Sequence, residues 1–228
     1  MSIAEKFEVI ADEVYAKGKE YIWEVVQQGG ARTDYAYAFT MWDIDYIRPK
    51  YKVIPTGVGT GNQTFAKSKI KKIEKEYFDF SQKPRGANQS QGWYYMFSAC
   101  SNLEVIEDIG MQPDFGYVYT YPYSYKLHTI EVIRSDENTT WNNAFLDTIG
   151  LMNITIEGKI GQKGFNVKSC KKLTKASLLS ILKALSLDIT TTTTITFSTI
   201  HQSIIETDTD CKPYWEAAKN AGWSFVYA

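Results

Sequence analysis

Three triplets of residues recur along the chain at one constant step. Phe97, Leu103 and Ile106 are followed 24 residues on by Tyr121, Leu127 and Ile130, and 24 further on by Phe145, Leu151 and Ile154. A second aromatic series, Trp93, Tyr117, Trp141 and Phe165, keeps the same step. A unit of about two dozen residues is too short to bury its apolar side alone, so neighbouring units must stack and share one core. Looser copies lie upstream at Phe65, Ile70 and Ile73 and at Phe39, Ile44 and Ile47, each with one residue fewer before the first Ile. Their spacings are 26 and 32 residues, and the turn-forming insertion KPRGANQSQG (83–92) absorbs the longer one. The pattern predicts a solenoid of about five units with a parallel strand ladder. Each Leu-x-x-Ile segment is then its unit's short strand, and the upstream aromatic packs at the turn into it. Trp93, Phe97, Leu103 and Ile106 are accordingly expected in the core.

Both ends depart from this rhythm. Ser2 and Glu5 have capping-box spacing, and Ile3, Phe7, Ile10 and Val14 follow a helical stripe. Tyr21, Ile22 and Val25 continue that face past Gly18 to a stop at Gly29-Gly30. Beyond residue 165, LTKASLLSILKAL (173–185) starts with a Thr cap and sets Leu178, Ile181, Leu182 and Leu185 on one face. TTTTITF (191–197) reads as a strand, Pro213 opens a second helix that Gly222 closes, and WSFVY (223–227) reads as a final strand. The expected organisation is one continuous domain: a helical cap over 1–30, repeats over 31–164, and a helix–strand cap over 165–228 that keeps the last core face dry.

Charge argues against some partners. With 25 basic and 26 acidic residues the formal net charge is −1, so nothing electrostatic points to nucleic acid or an anionic membrane. The one basic run, KSKIKKIEK (67–75), has acidic neighbours and reads as a solvated face. Cys100, Cys170 and Cys211 are odd in number, form no CxxC pair and have no histidine at metal-ligand spacing; they read as small buried residues in a reducing compartment. The N-terminus lacks a signal-peptide pattern, and no stretch of 18 or more apolar residues is present. The protein is expected to be intracellular as made, with export by lysis or a dedicated machine left open.

Catalytic signatures are missing. There is no GxSxG, HExxH or Walker sequence, and GVGTGN (57–62) follows a Pro without leading to a Walker Lys, so it reads as a turn. His128 and His201 stand alone; His128, between Leu127 and Ile130, is expected at a solvent-facing ladder position. Glu104, Glu107 and Asp108 could pair as acid and base, but carboxylates on exposed rungs are ordinarily just solvated. The Asn-x-Ser/Thr matches at Asn62, Asn88, Asn138 and Asn153 carry meaning only after secretion into a glycosylating compartment. The reading is a non-enzyme with no cofactor and no metal.

Any binding surface is expected on the ladder. Residues between the Leu and Ile rungs fall into columns: Glu104, His128 and Met152; Val105, Thr129 and Asn153; Glu107, Glu131 and Thr155. Glu104, Glu107, His128, Glu131, Asn153 and Thr155 are the candidate contacts for a protein or a glycan, and the alternative is a merely solvated sheet face. Tyr94 and Tyr95, with Tyr119 and Tyr123, would suit sugar stacking or a protein hot spot, or equally fill gaps between turns.

The stretch MFSACSNLEVIEDI (96–109) resembles the BspA-like bacterial leucine-rich repeat, in which Met-Phe, Cys, Leu and Ile recur in this order. AYAFTMWDIDYIRPKYKVIPT (36–56), the run 156–186 and the closing AAKNAGWSFVYA (217–228) are similar to leucine-rich proteins in prophages of gut Firmicutes. The resemblance covers most of the chain. It implies an α/β leucine-rich-repeat fold and a non-enzymatic phage structural or host-recognition protein of the tail or baseplate region. Its partners would be other virion proteins, a host surface receptor or a glycan, with a homo-oligomer possible. The second class to weigh is a bacterial adhesin-like interaction module. The chain departs from long adhesins in having no signal peptide, wall anchor or long array.

Overall fold

The computed structural model describes residues 30–32, 38–55, 64–80, 96–111, 125–141, 144–146 and 148–228. The expected N-terminal helix, the insertion at 83–92, the GVGTGN turn and residues Trp93, Tyr94, Tyr95, Tyr117, Tyr119, Tyr121 and Tyr123 lie outside them.

The described chain is a mixed α/β structure whose sheets are parallel and not closed into a barrel. Strands β1 (Gly30–Arg32) and β2 (Val53–Pro55) pair with each other. Strands β3 (Lys72–Ile73), β4 (Val105–Met111), β5 (Thr129–Ser135) and β6 (Asn153–Gly158) form a four-stranded sheet in sequence order. A third sheet holds β7 (Phe165–Asn166), β8 (Thr193–Phe197) and β9 (Trp223–Tyr227). Three helices accompany it: α1 (Lys175–Ala184), α2 (Gln202–Thr207) and α3 (Lys212–Ala221).

Register follows the sequence step. Ile106 pairs with Ile130 and Ile130 with Ile154, so identical side chains stack one above another. Leu103, Leu127, Leu151 and these three Ile are buried, as are Phe39, Phe65, Phe97 and Phe145. Phe39 stacks on Phe65 at 5.1 Å and Phe65 on Phe97 at 5.5 Å between ring centroids. Two residues after each of these three Phe, the backbone turns left-handed, at Met41 (φ 61°), Lys67 (φ 59°) and Ala99 (φ 57°). The turns themselves are bonded: Met41 N–H donates to Ala66 O at 3.0 Å, and Lys67 N–H to Ser98 O at 2.8 Å. One backbone conformation is thus used three times, because stacked rings and stacked amides demand the same turn beneath them.

The strands start later than Leu-x-x-Ile predicts. Leu103 N–H donates back to Cys100 O at 3.1 Å, and Leu151 N–H to Thr148 O at 3.2 Å, closing the turn. Only the next amide is free to reach the neighbouring unit, as Glu104 does to Lys71 O at 2.8 Å. Each Leu is therefore a buried turn residue, and the strand proper runs on through a second buried column, Ile109, Ile133 and Ile156. Ile133 pairs with Ile156, 23 residues on, so the register slips by one residue within β5.

At the C-terminal end the helix expected over 173–185 forms over 175–184. Thr174 caps it by accepting the Ser177 N–H at 3.3 Å. Helix α3 carries Pro213 in its first turn and ends at Gly222, whose φ of 109° is left-handed. A short 3-10 turn (Thr199–His201) and α2, for which the sequence analysis gave no element, fill the span between β8 and α3. The buried His201 lies in that turn, and its Nε2 is 2.9 Å from Cys170 O. A carbonyl only accepts, so Nε2 carries a proton, and this histidine acts as a core crosslink.

Candidate binding face

The strand edges carry a continuous hydrogen-bond chain. His128 N–H donates to Glu104 O at 3.0 Å, Met152 N–H to His128 O at 2.9 Å, and Thr174 N–H to Met152 O at 2.9 Å. This chain places the side chains of Glu104, His128 and Met152 in the expected column, and those of Val105, Thr129 and Asn153 in the next.

His128 differs from expectation. It lies one residue ahead of β5 and is half-buried, because its Nδ1 turns along the rung to Thr129 Oγ1 at 2.9 Å. Asn153 Nδ2 donates to the same hydroxyl at 3.2 Å, and Thr174 Oγ1 donates to Asn153 Oδ1 at 3.4 Å. A polar row of imidazole, hydroxyl, amide and hydroxyl therefore crosses three successive units.

The acidic candidates divide. Glu131 and Thr155 are exposed and Glu104 is half-buried, but Glu107 is drawn in. It pairs with Lys72 of the preceding unit and accepts Lys75 N–H at 2.9 Å. Burial pushes its carboxyl up, but the hydrogen bonds from Lys72 and the Lys75 amide outweigh this and hold it below the ordinary Glu value. Glu107 is thus not a merely solvated carboxylate. The neighbouring Asp108 receives Arg134 Nη1 at 2.6 Å on both oxygens, and Arg134 also lies 3.1 Å from Glu157. Each of Glu107 and Asp108 is bound to a cation, and the suggested acid–base pairing between them is not made. The column Glu107–Glu131–Thr155 is also interrupted at its last step, where the register slips.

The same crosswise pairing answers the basic run at 67–75. Lys69 meets Asp43 at 2.9 Å, Lys71 meets Asp45 at 2.7 Å and Glu74 receives Arg48 at 2.7 Å, each pair 26 residues apart. Lys69, Lys71 and Lys72 of this run thus each meet a carboxylate far along the chain, which lowers the net positive charge of the stretch.

Tyr94 and Tyr95 lie outside the described residues. Exposed aromatics that sequence reasoning passed over are Tyr46, Tyr51, Tyr125 and Tyr214. Arg48 covers the Tyr46 ring at 4.6 Å and Lys50 the Tyr51 ring at 5.1 Å. Nothing in the spacing marks them, since they sit outside the aromatic positions of the repeat. Among the described residues, no group of three or more His, Cys, Asp or Glu side chains is placed to hold a metal, and no helix is long and apolar enough to cross a membrane.

What these elements define is a parallel α/β scaffold with a polar, self-paired strand face. No protein-family profile, no curated protein and no solved structure matches the chain.

Proposed function

We propose that the chain is a short leucine-rich-repeat solenoid of the BspA-like kind. In this reading it is a non-enzymatic phage structural or host-recognition protein that binds protein or glycan through its repeat face. The observation that carries the scaffold reading is the in-register stacking of Ile106, Ile130 and Ile154 beneath a row of polar side chains. Such columns are how stacked repeats present an extended surface. On that face Glu131, Asn153 and Thr155 are exposed, whereas Glu107 belongs to the scaffold. The tail or baseplate assignment is supported by the resemblance of the flanking stretches at 36–56, 156–186 and 217–228.

Mass spectrometry of purified virions, after induction of prophage from the source strain, tests the assignment. The expected result is this chain at a stoichiometric level. Its absence from virions, with abundance in the cell or at its surface, would overturn the tail assignment and favour the adhesin-like module.

A further inference from the structure

Apart from the repeat face, a cavity of about 380 Å³ opens where the four-stranded sheet gives way to the C-terminal sheet. It is lined by Glu137, Asn138, Gly161, Gln162, Lys163, Ser186, Asp188 and Thr191. We propose that this cavity is a binding site for one neutral sugar residue of a glycan, a role independent of the repeat-face reading.

The walls are fixed before any ligand arrives. A Cβ on Gly161 would lie 1.9 Å from Glu137 O, so two successive turns touch backbone to backbone along one wall. Gln162 Oε1 accepts the N–H groups of Thr190 and Thr191 at 3.2 Å each and their hydroxyls at 3.0 Å each, which pins the opposite loop. Ser186 at the floor is buried; its hydroxyl donates to Glu137 Oε1 at 2.9 Å and accepts Asp188 N–H at 3.3 Å. Its carbonyl takes the Trp223 indole N–H at 2.8 Å. One buried serine therefore holds the Glu137 carboxylate through its hydroxyl and the backbone of Asp188 through that residue's amide. Preorganisation of this kind removes part of the ordering cost of binding.

The chemistry of the lining selects the ligand. Acceptors (Glu137, Asp188) and donors (Asn138, Lys163) share the cavity, and no apolar side chain lines it. Vicinal hydroxyls, each both donor and acceptor, satisfy the two kinds together. A phosphate would face two carboxylates, and an aromatic or aliphatic side chain would find no apolar wall. The volume lies at the small end of ligand clefts, which run from roughly 300 to 1,000 Å³, and suits one ring rather than an extended chain.

Saturation-transfer NMR on the full chain tests this with glucose, galactose, N-acetylglucosamine and glucosamine. The expected result is saturation of at least one neutral sugar. Asp188→Asn and Lys163→Met should each weaken it about tenfold, as loss of one charge-assisted hydrogen bond does, without changing the melting temperature. No saturation from any neutral sugar would overturn the proposal, and so would affinity unchanged in both variants. Binding of glucosamine alone would overturn it too, by reassigning the carboxylates to an ammonium ligand.

Discussion

Ser177 Oγ accepts the backbone N–H of Ile154 at 3.0 Å and donates to Met152 O at 2.9 Å, so a helix side chain stands where another strand's backbone would. One turn later Ser180 Oγ accepts Ile156 N–H at 2.9 Å. The spacing of three along α1 puts both hydroxyls on one helix face, against the outer edge of β6. An open parallel edge invites pairing with another chain, and these serines close it without a strand.

Ser177→Ala is expected to destabilise the protein by about 1–3 kcal/mol, because the buried Ile154 amide loses its acceptor. Alanine's better helix propensity returns only about 0.5 kcal/mol, so the orphaned amide dominates. Urea unfolding measures the difference; no change would mean that water replaces the hydroxyl.

Glu107 predicts the acid behaviour of the β3–β4 contact. Its folded pKa is depressed, so its contribution is fully present above the unfolded Glu value of about 4.3 and is lost as pH falls through the folded value. Stability measured from pH 7 down to about pH 3 should therefore fall on the acid side. Glu107→Gln should be less stable at neutral pH and should flatten that part of the curve. A parallel curve for the variant would show that the Lys72 pair contributes nothing to linkage.

The thiols should be silent in the native state. Burial pushes Cys100 and Cys170 up to about 12, and Cys100 Sγ also donates to Phe65 O at 2.9 Å. At pH 8 the thiolate fraction is then on the order of one in ten thousand. Cys211 is buried and shifted in the same direction, again by burial first. Ellman's reagent should label all three thiols only after guanidinium is added. A thiol that reacts quickly without denaturant would reveal local opening around it.

Gly161→Ala should cost at least about 3 kcal/mol, since the new methyl would overlap a carbonyl oxygen that belongs to backbone and cannot swing away. Thermal melting of the purified variant checks this. A wild-type melting temperature would show that the turns at 137 and 161 can separate.

In the core, Leu127→Ala and Ile130→Ala are each expected to lose roughly 2–5 kcal/mol, because both side chains are fully buried. Chemical denaturation reads the loss, and a value near zero would place these residues outside the core.

The two levels of description divide along a physical line. Among the described residues, sequence by itself determined much of the core: Leu103, Leu127 and Leu151, Ile106, Ile130 and Ile154, and Phe97 and Phe145 are buried where the 24-residue step put apolar side chains. It also determined α1 and α3, whose signals at Thr174, Pro213 and Gly222 are local, and the strands β8 and β9, but not α2. Only the tertiary structure decided how the polar residues are used. Glu107 looks like a solvated rung until Lys72 is seen beside it, and Ser177 looks like an indifferent helix residue until β6 lies against it. The cavity draws Glu137, Lys163 and Asp188 from three separate turns. Hydrogen bonds and ion pairs are set by distance and direction between groups far apart in the chain. A periodic pattern fixes which units meet, but the one-residue register slip in β5 and the point where each strand begins settle which polar atoms meet.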